Sequence, residues 1–484
     1  MDLKNPRLLA TQSFGAGGWH DADGGATFDV TNPATGAVVA QVADCGRGEV
    51  ARAVDAAYEA QKGWAGMLAS ERQKVLMRWY DLILQNQDDL AQIVTAEMGK
   101  PLAEAKGEVG YGASFIEWFA AEAPRVYGDT IPQHQADKRI VVIKQPIGVV
   151  GSITPWNFPI AMITRKVSPA LAVGCSVVAR PAELSPLSAT ALAVLAEEAG
   201  FPPGVFNVIT GSNASEMGKE LCENEKVRKI TFTGSTRVGR ILMKQCAEDI
   251  TRVSLELGGN APFIVFDDAD LDAAVEGCMI SKFRNAGQTC VCANRIYVQA
   301  GVYDAFAEKL AAKVAELKVG PGTDPDANIG PLISENGLKK VQDHMADATS
   351  KGARIVVGGT ESPLGKTFYT PTVLADVTQE MAVAREETFG PVAPLFRFES
   401  EDEAVAMAND TEFGLAAYYY TRDIGRAWRV GEALEYGIVG LNTGLISTQV
   451  APFGGVKQSG LGREGSKYGT DDFLEIKYLC MGGV

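Results

Sequence analysis

The sequence predicts an α/β protein with a doubly wound parallel sheet, a second α/β unit and a small β element. Apolar, strand-like runs alternate with helix-like stretches over residues 160–255. This alternation is typical of βαβ units, whose parallel strands need a crossover connection. The alternation starts again near Gly258 and continues to about residue 450. A β-rich patch covers residues 139–153, and a hairpin from the 128–144 region could pair with a strand-like tail at 471–481 to form the small element.

The region before the alternation contains a predicted long helix over residues 70–98. Ser70 and Gln73 have the spacing of a capping box, and apolar residues then recur at helical intervals. Gly99 and Pro101 are the signals expected to end this helix.

Strands and helices follow in strict order through the first α/β unit. The predicted strands cover 176–179, 205–210, 229–233 and 252–255. The predicted helices cover about 160–174, 185–200, 214–224 and 236–249. The second unit begins with a strand at 263–266 and a helix at 271–283. Because such sheets bind ligands beyond the carboxyl ends of their strands, residues that follow the strands are candidate site residues.

The chain is long enough for more than one core, so we expect interleaved domains. Residues 1–127 and 145–255 are predicted to form a dinucleotide-binding domain, and residues 256–455 a catalytic domain. Residues 128–144 and 456–484 are predicted to be oligomerisation segments. Pairing of a 128–144 hairpin with the C-terminal tail would suit a homodimer or homotetramer.

Composition excludes several classes of function. The net charge is −15 with no basic run, which argues against nucleic acid as a partner. The long uncharged stretches 145–164 and 436–456 contain Pro, Gly and Asn, so no membrane span is expected. Eight scattered cysteines and no apolar leader favour a reducing, cytoplasmic location. Three histidines, none close in sequence to the motifs below, argue against a Cys-His pair or a metal site.

Three residues in unusual local contexts could supply acyl chemistry. Cys290 follows Gly-Gln-Thr, and a thiol among small and polar residues is a candidate nucleophile. Glu256 lies in an apolar run before two glycines, where a raised pKa would suit a general base. Asn157, between prolines and aromatics, could donate its amide to an oxyanion. Taken singly, Asn157 could be a turn residue and Glu256 a surface carboxylate at a strand end.

Other motifs are weaker when taken alone. Gly234 and Ser235 follow a strand and open a helix, which suits a phosphate but also an ordinary turn. Arg180 and Glu183 follow another strand and could hold a ribose or form a solvated pair. Cys292 could form a disulfide with Cys290 if the loop bends, or could be a packed small residue.

The motifs together, in this order, resemble the aldehyde dehydrogenase superfamily from about residue 10 to the C-terminus. The matching segments are TPWNFP at 154–159, RPAE at 180–183, FTGST at 232–236, LELGG at 255–259, GQTC at 287–290, EETFGP at 386–391 and PFGG at 452–455. Within that superfamily the chain resembles succinate-semialdehyde dehydrogenases most, through segments at 162–166, 261–272, 283–295 and 454–469.

The resemblance implies a mechanism. Cys290 would attack the aldehyde, and the Asn157 amide with the Cys290 backbone N–H would stabilise the oxyanion. Hydride would pass to a nicotinamide, and Glu256 would activate water against the thioester and could also deprotonate Cys290. By the same resemblance, further residues would position the cofactor: Trp156, Gly234, Ser235, Glu387 and Phe389.

The resemblance also implies an anionic substrate. Arg165 and Arg284, with Ser447 as a third donor, would hold a distal carboxylate, a task suited to the planar guanidinium. Succinate semialdehyde is the first expectation; glutarate semialdehyde, 2-oxoglutarate semialdehyde and sulfolactaldehyde stay open because one methylene discriminates weakly. A redox sensor and a CoA-acylating enzyme are the other classes, which the retained site residues and Glu256 respectively disfavour.

Cofactor choice depends on one departure from the family pattern. Arg180 stands where the family usually has Lys beside the adenosine ribose. Glu183 matches NAD-preferring members and should repel a 2′-phosphate, a repulsion that Arg180 would partly offset. NAD is therefore expected over NADP, with NADP left open. A separate prediction, which depends on the two-residue spacing alone, is that Cys292 forms a redox switch with Cys290.

Overall fold

The structure, a computed structural model, describes residues 1–484. Its helices are α1 (Arg47–Gly66), α2 (Ala69–Gln85), α3 (Gln87–Met98), α4 (Leu102–Glu122), α5 (Ala161–Val173), α6 (Leu187–Ala199), α7 (Ala214–Glu223), α8 (Thr236–Cys246), α9 (Leu271–Phe283), α10 (Tyr303–Ala315), α11 (Glu335–Ser350), α12 (Ala382–Arg385), α13 (Glu401–Asn409) and α14 (Ile424–Ala433). No helix is both long and apolar enough to cross a bilayer.

The strands fall into three larger sheets and one hairpin. They are β1 (Ser13–Gly15), β2 (Gly18–His20), β3 (Thr27–Thr31), β4 (Val38–Ala43), β5 (Asp129–Ile131), β6 (Lys138–Pro146), β7 (Val149–Ile153), β8 (Ser176–Arg180), β9 (Phe206–Val208), β10 (Val227–Thr233), β11 (Arg252–Glu256), β12 (Ala261–Val265), β13 (Ala293–Gln299), β14 (Arg354–Val357), β15 (Thr372–Ala375), β16 (Val392–Phe398), β17 (Ala416–Tyr420), β18 (Ile438–Leu441), β19 (Gly460–Leu461) and β20 (Leu474–Gly482).

The first sheet has the order β19-β11-β10-β7-β8-β9-β1-β2, and its five central strands are parallel. Helices α5 and α6 cover one face, with α2, α3 and α4 packed against them, and α1, α7 and α8 cover the other face. The second sheet, β14-β15-β16-β13-β12-β17-β18, is parallel except for β14. These two sheets confirm the predicted α/β class with a doubly wound parallel sheet.

The predicted single helix over 70–98 is wrong in one respect. The chain forms α2 and α3, separated at Asn86, whose side-chain amide donates to the carbonyl of Leu82 at 2.8 Å. Such side-chain bonds to the backbone compete with the helical ladder. The capping pair is also shifted: Glu71 accepts from the backbone N–H of Leu68, so Ser70 lies inside the helix.

The third sheet has the order β20-β6-β5 and is antiparallel. β20 pairs with β6 along its whole length, as expected for the tail and the 128–144 region. The outer edge of β20 has no neighbouring strand, and β20 exposes apolar side chains such as Ile476 and Tyr478. Within the same C-terminal region, β19 joins the first sheet beside β11. The domain limits given above, and the role of this element in assembly, stay predictions.

Candidate active site

One edge of the first sheet collects the residues singled out in its strand-to-helix connections. The parallel strands β7, β8, β10 and β11 end at that edge. Asn157 follows β7, Arg180 ends β8, Gly234 follows β10 and Glu256 ends β11. Residues far apart in the sequence therefore share one edge because parallel strands present their carboxyl ends together.

The loop that carries Cys290 has an uncommon backbone. Asn285, Ala286 and Gly287 are all left-handed, with φ of 53°, 54° and 76°. A Cβ at Gly287 would lie 2.2 Å from the carbonyl oxygen of Gly390, so only glycine fits there. Cys290 follows this turn and is partly exposed, in contrast to the fully buried Cys292.

Side-chain amides tie this loop to Asn157. The Asn157 Nδ2 donates to the carbonyl of Gln288 at 3.1 Å, and the Asn285 Nδ2 donates to the carbonyls of Asn157 (3.1 Å) and Gln288 (3.2 Å). The Gln288 side chain accepts from the N–H of Ile333 at 2.9 Å. One N–H of the Asn157 amide is occupied, which leaves the second to serve an oxyanion. Sequence reasoning missed Asn285 and Gln288, although Gln288 lies in the GQTC motif.

The surroundings of Glu256 and Cys290 favour the neutral form of both side chains. Burial raises the pKa of Glu256 well above its usual value, the charge of Glu464 adds to this, and Arg165 opposes it. Oε2 of Glu256 has no hydrogen-bond partner. Burial raises the pKa of Cys290 to about 12, against the opposing charge of Arg165. The charges of Glu387 and Glu256 also raise the pKa of the thiol, so Glu256 and Cys290 interact electrostatically.

Arg165 is buried and already paired. It and Lys166 both form ion pairs with Glu464, and its guanidinium lies 4.2 Å from the ring centroid of Phe453. Sequence reasoning missed Lys166 and Glu464, which lie in segments quoted for the resemblance but carry no local signal of pairing. The charge of Arg165 is thus largely compensated within the protein.

Arg284 has a different environment. It forms no ion pair, and its guanidinium lies 5.1 Å from the ring centroid of Phe158, the neighbour of Asn157. Arg284 and Ser447 line one narrow pocket together with Thr289 and Tyr418. The predicted donors Arg284 and Ser447 are therefore brought together beside the Cys290 loop.

The predicted cofactor residues form a second group. The rings of Trp156 and Phe389 meet edge to face at 5.6 Å, and Phe389 is left-handed with φ of 55°. Glu387 accepts from the N–H of Gly259 at 3.2 Å, and burial raises its pKa to about 7. Ser235 caps the exposed start of α8 by accepting from the N–H of Val238 at 3.4 Å.

Of the three helices that begin at this edge and face the site, only α8 has an open N-terminus. Glu108 accepts from the N–H groups of Ile160 (2.9 Å) and Ala161 (3.3 Å) at the start of α5. Glu97 accepts from the N–H groups of Leu187 and Ser188 at the start of α6. These carboxylates occupy the positions an anion would take, whereas Ser235 leaves the α8 terminus free for a diphosphate.

Arg180 and Glu183 form an ion pair at 2.8 Å, and Arg180 also donates to the carbonyl of Gly211 at 3.1 Å. Arg180 is buried, whereas 41% of the Glu183 side chain is exposed. Glu183 is therefore the accessible member of the pair at this edge.

Two further groups lie next to the site residues. The thiol of Cys292 faces Lys282, whose Nζ donates to it at 3.4 Å. All eight cysteines are free thiols, so the Cys290–Cys292 disulfide stays a prediction.

His344, which sequence reasoning left outside the site, contacts Thr388 at 3.1 Å, next to Glu387. No group of three or more His, Cys, Asp or Glu side chains is arranged to hold a metal ion.

Comparison with known proteins decides the family. A model of the aldehyde dehydrogenase family matches residues 19–479. The chain belongs to the aldehyde dehydrogenase family. This aldehyde dehydrogenase is an oxidoreductase, and the predicted resemblance is confirmed.

Several named aldehyde dehydrogenases are similar over the full length. A glutarate-semialdehyde dehydrogenase of Pseudomonas aeruginosa is 62% identical over 100% of both chains. A 3-sulfolactaldehyde dehydrogenase of Pseudomonas putida is 63% identical over 100% of this chain and 99% of its own. An NADP(+)-type succinate-semialdehyde dehydrogenase of Escherichia coli is 62% identical over 100% of both chains. A crystal structure of succinate-semialdehyde dehydrogenase from Burkholderia pseudomallei superposes with a TM-score of 0.99 at 61% identity, covering 100% of both chains.

Proposed function

We propose that this aldehyde dehydrogenase oxidises short aldehydes that carry a distal carboxylate, with succinate semialdehyde as the first candidate. The observation that carries this proposal is the unpaired guanidinium of Arg284, which shares a pocket with Ser447 beside the Cys290 loop. A partly buried arginine without a carboxylate partner is suited to bind one from the substrate. Arg165 contributes a positive field at Cys290 and is the weaker candidate for direct binding, since Glu464 pairs with it.

The reaction follows from the side chains. Glu256 takes the proton of Cys290, and the thiolate attacks the aldehyde carbon to give a thiohemiacetal. The Asn157 amide and the backbone N–H of Cys290 stabilise the negative oxygen. The bound nicotinamide supplies the hydride acceptor. After the proton taken from Cys290 has passed to solvent, Glu256 takes a proton from a water molecule, and the water oxygen attacks the thioester carbon. The C–S bond breaks, the acid is released, and the Cys290 sulfur takes a proton back.

NAD or NADP would bind along the open edge of the first sheet. Its diphosphate would lie at the start of α8, beside Gly234 and Ser235, and its ring near Trp156 and Phe389. Exposed Glu183 favours NAD by repelling a 2′-phosphate, while Arg180 weakens that repulsion. The Escherichia coli relative is named for NADP(+), so both cofactors belong in the test.

Two relatives are named for glutarate semialdehyde and for 3-sulfolactaldehyde, and the distal anionic group of either aldehyde would also suit the guanidinium of Arg284. The retained Glu256 favours hydrolysis over transfer to CoA, because hydrolysis needs a base.

We further propose assembly through the open edge of β20, tested by light scattering on the intact chain. Free cysteines fit the reducing cytoplasm predicted from the sequence.

The test compares kcat/KM for succinate semialdehyde, glutarate semialdehyde, sulfolactaldehyde and uncharged butanal, each with NAD and NADP. Arg284→Met should lower kcat/KM for the anionic aldehydes by about 10²-fold, because the ion pair between the guanidinium and the anionic group of the substrate is lost. The kcat/KM for butanal should stay within about threefold of the parent value. Arg354→Met, at a surface ion pair on β14, is the control and should match the parent enzyme. A parent enzyme that prefers butanal would overturn the proposed substrate class.

A further inference from the structure

A carboxylate outside the predicted site is bound to the cysteine loop. Glu104 lies in the first turn of α4, and its Oε2 accepts from the backbone N–H of Asn285 at 2.9 Å. That N–H belongs to the peptide between Arg284 and Asn285. Glu104 therefore fixes the plane of the peptide that joins the anion-binding arginine to the left-handed turn before Cys290.

The turn needs external support. Asn285 and Ala286 each have a left-handed backbone, a conformation that residues with a Cβ rarely adopt and that is strained at Ala286 in particular. Such conformations persist only where surrounding contacts fix them. The side-chain amide of Asn285 donates to the carbonyls of Asn157 and Gln288. The backbone N–H of Asn285 donates to Glu104 alone.

Glu104 accepts from the backbone N–H and leaves the guanidinium of Arg284 without an ion pair. Its carboxyl forms no ion pair with Arg284. Burial raises the pKa of Glu104, and the charge of Lys100, the Asn285 hydrogen bond and Arg284 oppose this. The contact itself is one hydrogen bond to a carboxyl oxygen, and the side-chain amide of Gln carries an acceptor oxygen of the same reach.

We propose that Glu104 is a positioning residue that couples the substrate-carboxylate pocket to the nucleophile, by holding the Arg284–Asn285 peptide in the orientation that places both Arg284 and Cys290. The effect on anionic substrates rests on the proposed function. The effect on Cys290 does not, because every aldehyde needs the thiol.

The test uses Glu104→Ala and Glu104→Gln in the full-length enzyme, with Glu117→Ala, an exposed glutamate of the same helix, as the control. Succinate semialdehyde and butanal are compared. We expect Glu104→Ala to lower kcat about tenfold with both aldehydes, because misplaced reacting groups lose effective concentration, and to raise KM about tenfold for the semialdehyde only. Glu104→Gln, which keeps an oxygen acceptor, should stay within about twofold of the parent.

A second readout is independent of turnover. The rate of Cys290 alkylation by iodoacetamide, measured by peptide mass spectrometry, should change in Glu104→Ala and not in Glu104→Gln or Glu117→Ala. Unchanged kinetics in Glu104→Ala, equal losses in the Ala and Gln variants, or equal KM increases for both aldehydes would each overturn the proposal.

If Glu104→Ala does not fold, Glu104→Asp replaces it. The shorter side chain withdraws the carboxyl from the Asn285 N–H, so the same kinetic losses are expected, and parent-like kinetics would overturn the proposal. A failure of the proposed substrate class is visible separately, as a preference of the parent enzyme for butanal. In that case the butanal kcat values still decide the role of Glu104.

Discussion

The cysteine side and the cofactor side of the site are built differently. On the cysteine side, Asn157, Asn285 and Gln288 form a closed set of buried hydrogen bonds around a left-handed turn. On the cofactor side, the start of α8 is exposed and is capped only by Ser235. Under the proposed function, the groups that form covalent bonds would be fixed in advance, whereas a cofactor that must enter and leave would meet an open edge.

Buried carboxylates enforce this division. Glu108 and Glu97 fill the N-termini of α5 and α6, which would otherwise attract anions. Glu108 lies on α4, which packs against α5, and Glu97 lies on α3, which packs against α6. The contacts between these helices therefore also leave α8 with the open N-terminus at this edge.

The largest expected effect is on the cysteine side. Glu256→Gln should lower kcat by about 10³-fold, since the general base for thioester hydrolysis is lost. Because Glu256 is also proposed to deprotonate Cys290, no burst of cofactor reduction should precede this slow turnover in rapid-mixing experiments.

The raised pKa of Glu256 predicts the direction in which kcat changes with pH. Because burial raises the pKa of Glu256, its basic form appears only as the pH rises, so kcat of the parent enzyme should increase from acidic towards alkaline pH. Glu256→Gln should lose this dependence. Cys290→Ala is the control and should show neither burst nor turnover; cofactor reduction by that variant would contradict the mechanism.

A smaller effect is expected on the cofactor side. Glu183→Gln removes an exposed negative charge, so the ratio of kcat/KM with NADP to that with NAD should rise about tenfold, corresponding to about 1.4 kcal/mol. Glu198→Gln, an exposed glutamate of α6, serves as the control. An unchanged ratio would show that Glu183 does not contact the adenosine ribose.

The smallest effect on basal activity is expected at the boundary of the cysteine side. Cys292→Ala should leave kcat within about threefold, because its thiol contacts Lys282 and not the reacting atoms. Mild oxidation should inactivate the parent enzyme reversibly, and Cys292→Ala should lose that reversibility. Cys480→Ala, at an exposed thiol, is the control. Reversible loss that persists in Cys292→Ala would reject the disulfide.

The sequence by itself determined the order of strands and helices and the positions of the main site candidates. Every predicted strand and helix between 160 and 283 corresponds to an observed element, because hydrophobic periodicity and turn residues act over a few residues. The edge on which Asn157 and Glu256 would lie follows from the same pattern, since parallel strands share their carboxyl ends.

Only the tertiary structure decided the partners of those candidates. Glu464 pairs with Arg165 and Lys166 from almost 300 positions away, and Glu104 reaches Asn285 across 181 positions. Neither pairing has a local signal in the sequence, because a glutamate that will be buried has the same kind of neighbours as one on the surface. The partner is known only when the folded structure brings the two residues together. The same reason explains why two equivalent-looking arginines differ: Glu464 compensates Arg165, and no carboxylate pairs with Arg284.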